Sequence, residues 1–200
     1  MKIVIALCLL VSIVSCQKKE PLLGDTDWQR QKNADFKDAS KSPLKKKDLK
    51  NFKTLDFFPV DSSFIVQAVL TRTPDSTWFS MPTTTDRVSK ERVYGMLSFS
   101  LQEQNFELAV YQGEETMAQE GMEDYLFLPF IDDTNGETTY GGGRYLDLRI
   151  PEGNTMLINF NEAYNPYCVY NETYSCPLVP QQNTLNVAVT AGEKNFIPAE

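Results

Sequence analysis

Val93-Tyr94-Gly95-Met96-Leu97-Ser98-Phe99-Ser100-Leu101 is the stretch that decides the fold class. Val93, Gly95, Leu97, Phe99 and Leu101 fall at every second position. A period of two turns successive side chains to opposite faces, so this is a strand with one apolar face. The pattern recurs on both sides. Phe106, Leu108 and Val110 alternate with Glu107 and Ala109, and Leu146, Leu148 and Ile150 alternate with Asp147 and Arg149. Residues 64–70, 77–81, 125–130, 155–160 and 185–190 bring the total to about eight strand candidates. Turn signals separate them at Pro74-Asp75-Ser76, Asp133-Thr134-Asn135-Gly136 and Pro151-Glu152-Gly153-Asn154. Short strands with no helical pattern between them predict a mostly β, antiparallel sandwich or barrel.

Upstream the period changes. Asp25, Thr26 and Asp27 are good helix N-caps, and Trp28, Lys32 and Phe36 follow at i, i+4 and i+8 with Ala39 beside them. This predicts a short helix over 28–40, ended by Ser42-Pro43, because the residue before proline avoids the helical region. A second, shorter helix is expected over 45–52, giving one or two short N-terminal helices in all.

The first residues have another purpose. Lys2 followed by the apolar run 3–14 is too short to span a bilayer but suits a secretory signal. Ile13-Val14-Ser15-Cys16 resembles the bacterial lipobox, which implies cleavage before Cys16 and lipidation of that cysteine. The expected organisation is a signal peptide over 1–15, a lipidated tether over 16–27 and one β-rich domain over 28–200. Membrane contact would come through the lipid, with the body facing the periplasm. Gln17 is not the aspartate that resembles an inner-membrane retention signal, so the outer membrane is expected.

Charge is divided unevenly. Residues 17–53 carry 11 basic and 6 acidic side chains, whereas residues 54–200 carry 7 basic and 21 acidic ones. So acidic a body argues against nucleic acid as a partner. The lysines at 45–47, 50 and 53 suit lipid phosphates or, more plainly, a solvated face or a stem lying on its own acidic body. The chain has no histidine. That removes Ser-His-Asp and Cys-His mechanisms and every His-containing zinc site. No cofactor or metal site is expected.

The densest unusual stretch runs from 125 to 193. It contains Tyr125-Leu126-Phe127-Leu128-Pro129-Phe130, Tyr140-Gly141-Gly142-Gly143-Arg144-Tyr145, Ala163-Tyr164-Asn165-Pro166, and Cys168 with Cys176-Pro177-Leu178. At these residues the chain resembles the domain of unknown function 1684 family, more weakly so from Trp28 onward. The resemblance implies a fold group and leaves the activity open.

The candidate ligand-binding residues lie in the same stretch: Asp132, Tyr140, Gly142, Arg144, Asp147, Asn161, Tyr164 and Asn165. Acids and amides bond hydroxyl groups and tyrosine rings stack on sugar faces, so the set suits a small polar ligand or an envelope protein. The same residues suit a buried network pinning an irregular return. The glycines at 141–143 offer an anion nest beside Arg144 or, preferably, a sharp turn where no side chain fits. Arg144 itself has two readings, a buried partner for Asp132 or Asp147 and a ligand-facing clamp. Cys168 and Cys176 are the two cysteines left in a mature chain; in an oxidising envelope a disulfide is favoured over buried thiols, and metal or redox work comes last. Three functions compete: a binding lipoprotein, a carboxylate-based hydrolase using Asp132 with Asp147 or Glu193, and a structural assembly component.

Overall fold

A computed structural model describes residues 23–198; the signal segment and the proposed anchor Cys16 lie outside the described residues. Seven antiparallel strands form a curled half-barrel: β1 (Ile65–Arg72), β2 (Phe79–Pro82), β3 (Val88–Leu101), β4 (Gln104–Gly113), β5 (Tyr125–Phe130), β6 (Arg144–Arg149) and β7 (Thr155–Asn159). The order across the sheet is β6-β5-β4-β3-β1-β7. On one side of the long β3, β2 pairs its first part and β1 its second. Short helices α1 (Asp27–Lys37) and α2 (Lys46–Asn51) precede the sheet, and one turn of helix, α3 (Glu114–Met117), follows β4. Thr26 caps α1, its hydroxyl accepting the Gln29 N–H at 3.1 Å.

The alternation works as expected, with one break. Leu97, Phe99 and Leu101 face the main core with Leu108, Val110, Leu126, Leu128, Leu146 and Leu148. Val93 does not. The β3–β4 register shifts between Val93 and Gly95, so Tyr94 turns into the core and Val93 joins the opposite face. Gly95 leaves room for this, since a Cβ there would stand 2.6 Å from the Thr71 carbonyl oxygen.

Residues 185–190 make no ladder. Leu185, Val187, Val189 and Ala191 still drop into the main core at period two, so the segment is an extended strap across it. Its first part bonds the backbone of Ile131 and Asp133, and from Val189 on its polar backbone is held by side chains where a neighbouring strand would otherwise serve. Asn183 at its start closes a flaw in the sheet. β4 and β5 pair at Tyr111 and Phe127, and the next position is Ala109 opposite Pro129, which has no N–H to give. The Asn183 amide donates to the carbonyls of Ala109 (2.8 Å) and Pro129 (2.7 Å) and accepts the Ala109 N–H (3.0 Å).

The sheet's second face is covered too. Met81, Ala109, Tyr111, Phe127 and Tyr145 form a smaller cluster there. Over it arches the segment 164–178, joined to β6 by the Tyr145–Tyr164 bridge and to the end of β2 by the Thr83–Pro177 bridge. A third cluster of Phe36, Leu44, Leu55 and Tyr170 fastens the helices to this arch.

Candidate functional site

Two of the eight candidate residues, Arg144 and Asp147, lie on β6 and take opposite faces of it. Arg144 shares its parity with Leu146 and Leu148 and points inward, whereas Tyr145 and Asp147 point to the second face.

The inward set is a buried network in which Arg144 Nε alone of the guanidinium nitrogens has no partner among the described residues. Arg144 is fully buried, and its guanidinium bonds Asp132 Oδ2 at 2.8 Å. It also donates to three carbonyls of the strap: Val189 at 2.8 Å, Ala191, and Glu193 at 3.3 Å. Alternate carbonyls of an extended chain point the same way, so one guanidinium replaces the donors of a missing strand. Asp132 completes the imitation: its Oδ1 accepts the N–H groups of Val189 (3.1 Å) and Thr134 (2.9 Å). Burial pulls the Arg144 pKa down, and the Asp132 carboxylate opposes it.

Asn161 and Asn165 also bond the backbone, although Asn165 Oδ1 has no partner among the described residues, and Tyr140 stands near Cys168 and Cys176. Asn161 ties the entry of β1 to the exit of β7, donating to Asp61 O at 2.8 Å and accepting the Asp61 N–H at 2.9 Å. Asn165 donates from its amide to Lys194 O at 2.7 Å. The Tyr140 ring covers Gly142, where a Cβ would come within 2.5 Å of it. Gly143 has φ +90° and its Cβ would stand 2.6 Å from Phe130 O, so the glycine run makes a tight turn into β6. Asp132 and Asp147 are committed to opposite faces of β6. Glu193 is buried against the Tyr170 hydroxyl and the Asn165 N–H, and burial raises its pKa to about 7.

Asp147 and Tyr164 come together on the second face, in a groove between the sheet and the arch. The Tyr145–Tyr164 bridge fixes the distance, with reciprocal backbone bonds of 2.9 and 3.0 Å. Asp147 Oδ1 then accepts both the Tyr125 hydroxyl (2.7 Å) and the Tyr164 hydroxyl (2.5 Å). Oδ2 accepts nothing among the described residues, and the side chain is exposed. Burial followed by the Asp147 charge raises both tyrosine pKa values, which keeps them as donors. Lys32 of α1 lies 3.9 Å from the centre of the Tyr164 ring. The groove holds about 350 Å³. A second lobe of about 250 Å³ shares Tyr125, Tyr145 and Tyr164 with it and reaches Glu91.

Glu91, Tyr125 and Lys32 are site residues that sequence reasoning did not single out. Glu91 stands in the charged run Ser89-Lys90-Glu91-Arg92, which reads as a solvated strand end.

Cys168 and Cys176 are neighbours and are free thiols in the structure. The Cys168 N–H donates to Cys176 Sγ at 3.1 Å. The adjoining Cys176 thiol pulls the Cys168 pKa down, while burial opposes it. Pro177, next to Cys176, accepts the Tyr145 hydroxyl, so the cysteine loop is tied to the groove floor.

No curated protein matches the chain. A solved structure does: the solution NMR structure of the uncharacterized protein from gene locus rrnAC0354 of Haloarcula marismortui, at 33% identity and a TM-score of 0.66. The match covers 83% of this chain and 89% of that one. Residues 50–194 match the family model described as "Protein of unknown function (DUF1684)". With the same half-barrel and this identity over most of both chains, the protein belongs to the DUF1684 family.

Proposed function

We propose that the protein is an envelope lipoprotein, anchored through Cys16, whose body binds a small polyhydroxylated ligand in the tyrosine groove. The observation that carries the binding reading is Asp147. Two tyrosine hydroxyls hold one of its oxygens and leave the other open to the groove. A carboxylate fixed in this way is preorganised to accept ligand hydroxyls. Tyr164, half-buried in the groove wall, offers ring surface beside it for the C–H face of a sugar. The buried network of Arg144, Asp132, Asn161 and Asn165 then acts as scaffold, holding the strap and the ends of β1 and β7.

Saturation-transfer NMR with glucose, galactose and mannose tests the groove. Binding of at least one sugar, lost in Asp147→Ala and in Tyr164→Leu, is the expected result. Binding that persists in both variants, or no binding of any of the three, overturns the reading. Attachment is tested apart from this: Cys16→Ser is expected to abolish palmitate labelling and detergent partitioning, and labelling that survives refutes the anchor. Fractionation with the inner membrane refutes the outer-membrane location alone.

A further inference from the structure

We infer that Glu91 receives a cationic amino group of the ligand, so that the groove takes an amino sugar rather than a neutral one. This rests on the groove being the binding site and adds the chemistry of its inner end.

Glu91 is 5% exposed. The Ser89 hydroxyl donates to Oε1 at 2.7 Å, and Oε2 has no hydrogen-bond partner among the described residues. Glu91 is among the residues that line the second lobe of the groove, with Oε2 itself buried. Strand pairing shows how it comes to be there. Glu91 lies opposite Gly113, and a Cβ at Gly113 would stand 2.8 Å from Oε1, so the missing side chain provides the space. Continuing the Tyr111–Phe127 register brings Gly113 opposite Tyr125. The Tyr125 hydroxyl bonds Asp147, so the two carboxyls flank one tyrosine.

A buried carboxylate normally has a cation, because an unpaired one carries the full cost of desolvation. The basic residues around Glu91 make no ion pair with it: Arg87 is near enough for its charge to be felt, but each is bonded to another partner. Arg87 pairs with Glu115 at 3.4 Å and Lys90 with Glu114 at 2.7 Å. Arg92 donates to the Gln112 side-chain oxygen at 3.2 Å from Nε and lies 5.0 Å from the Trp78 ring centre. Burial accordingly raises the Glu91 pKa, against the Ser89 hydroxyl and the Arg87 charge. A metal ion is a poor substitute, since no group of three suitable ligands occurs among the described residues. An ammonium needs only one carboxylate and a nearby ring face, and Tyr125 and Tyr145 supply the faces.

The full chain is titrated with glucosamine, N-acetylglucosamine and glucose, with calorimetry as the readout. Glucosamine is expected to bind at least about tenfold more tightly than the other two, the difference made by one charge-assisted bond. Glu91→Gln keeps the shape and removes the charge. It is expected to erase the preference while glucose binding persists, with a thermal melt confirming the fold. Glu152→Gln, in the exposed turn after β6, is expected to keep the preference; its loss there too would assign the effect to general charge and overturn the inference. Equal binding of the three sugars by the wild type, or a preference surviving in Glu91→Gln, also overturns the amino-group assignment and leaves the groove standing. No binding of any of them removes the groove reading and this inference together.

Discussion

Arg144→Ala tests the scaffold most directly. The substitution leaves the buried Asp132 carboxylate without its cation and takes donors from the carbonyls of Val189, Ala191 and Glu193. Breaking a buried pair on one side costs about 3–5 kcal/mol. Water entering the vacated space can serve the carbonyls but restores no charge, so the middle of that range, about 4 kcal/mol, is expected. A domain's whole stability is about 5–15 kcal/mol. With a urea slope of about 2 kcal/mol/M, the unfolding midpoint should fall by about 2 M. Fluorescence of Trp28 and Trp78 follows the transition, and limited proteolysis should cut first in the strap at 185–195. Replacing both partners, as Arg144→Met with Asp132→Leu, orphans no charge and should cost less than the sum of the single changes. An Arg144→Ala protein whose midpoint stays within about 0.5 M of wild type would refute the scaffold role and return Arg144 to the list of ligand contacts.

Asn183→Ala removes three buried hydrogen bonds between β4 and β5 and should cost about 2–4 kcal/mol, read from the same urea transition; a loss below about 0.5 kcal/mol would show that the flaw at Pro129 closes without it. Glu193 has its pKa raised from 4.5 to about 7, so between those values the folded state binds the extra proton and stability must fall as pH rises. The loss approaches about 3 kcal/mol by pH 7 and should vanish in Glu193→Gln; stability that rises over this window in wild type would contradict it. For the cysteines, the proposed envelope location is oxidising, so alkylation of the unfolded, unreduced protein should modify neither Cys168 nor Cys176, and the bond would add roughly 2.6 kcal/mol. Modification of both would leave them as the thiols seen here.

Strand positions were legible because burial on one face imposes period two, and seven of the eight candidates are strands. The eighth, at 185–190, shows the limit of that signal. Its alternation is real and its apolar residues are in the core, but a ladder needs a backbone neighbour, and here Arg144 and Asp132 stand in for one. Periodicity reports burial and is silent about who satisfies the backbone. The bulge at Tyr94 was hidden for a related reason: Gly95 fits either face, so the pattern runs through it unbroken.

The site was half legible. Arg144 and Asp147 appear in one run of candidates, but β6 alternates, and parity alone assigns Arg144 to the side of Leu146 and Leu148. An arginine at a core position is a signal of a buried pair, and the sequence displayed it. Asp147 and Tyr164 are 17 residues apart and meet only because the arch bridges back onto β6 at Tyr145. Glu91 is harder still. Nothing in Ser89-Lys90-Glu91-Arg92 marks one charge as buried, and its neighbours Lys90 and Arg92 find partners outside the groove. What buries it is the absence of a side chain at Gly113, one strand away and 22 residues later. A pocket made by a missing atom on a neighbouring strand leaves no local trace in the residues that line it. That is why sequence reasoning recovered the scaffold's charges more readily than the groove's.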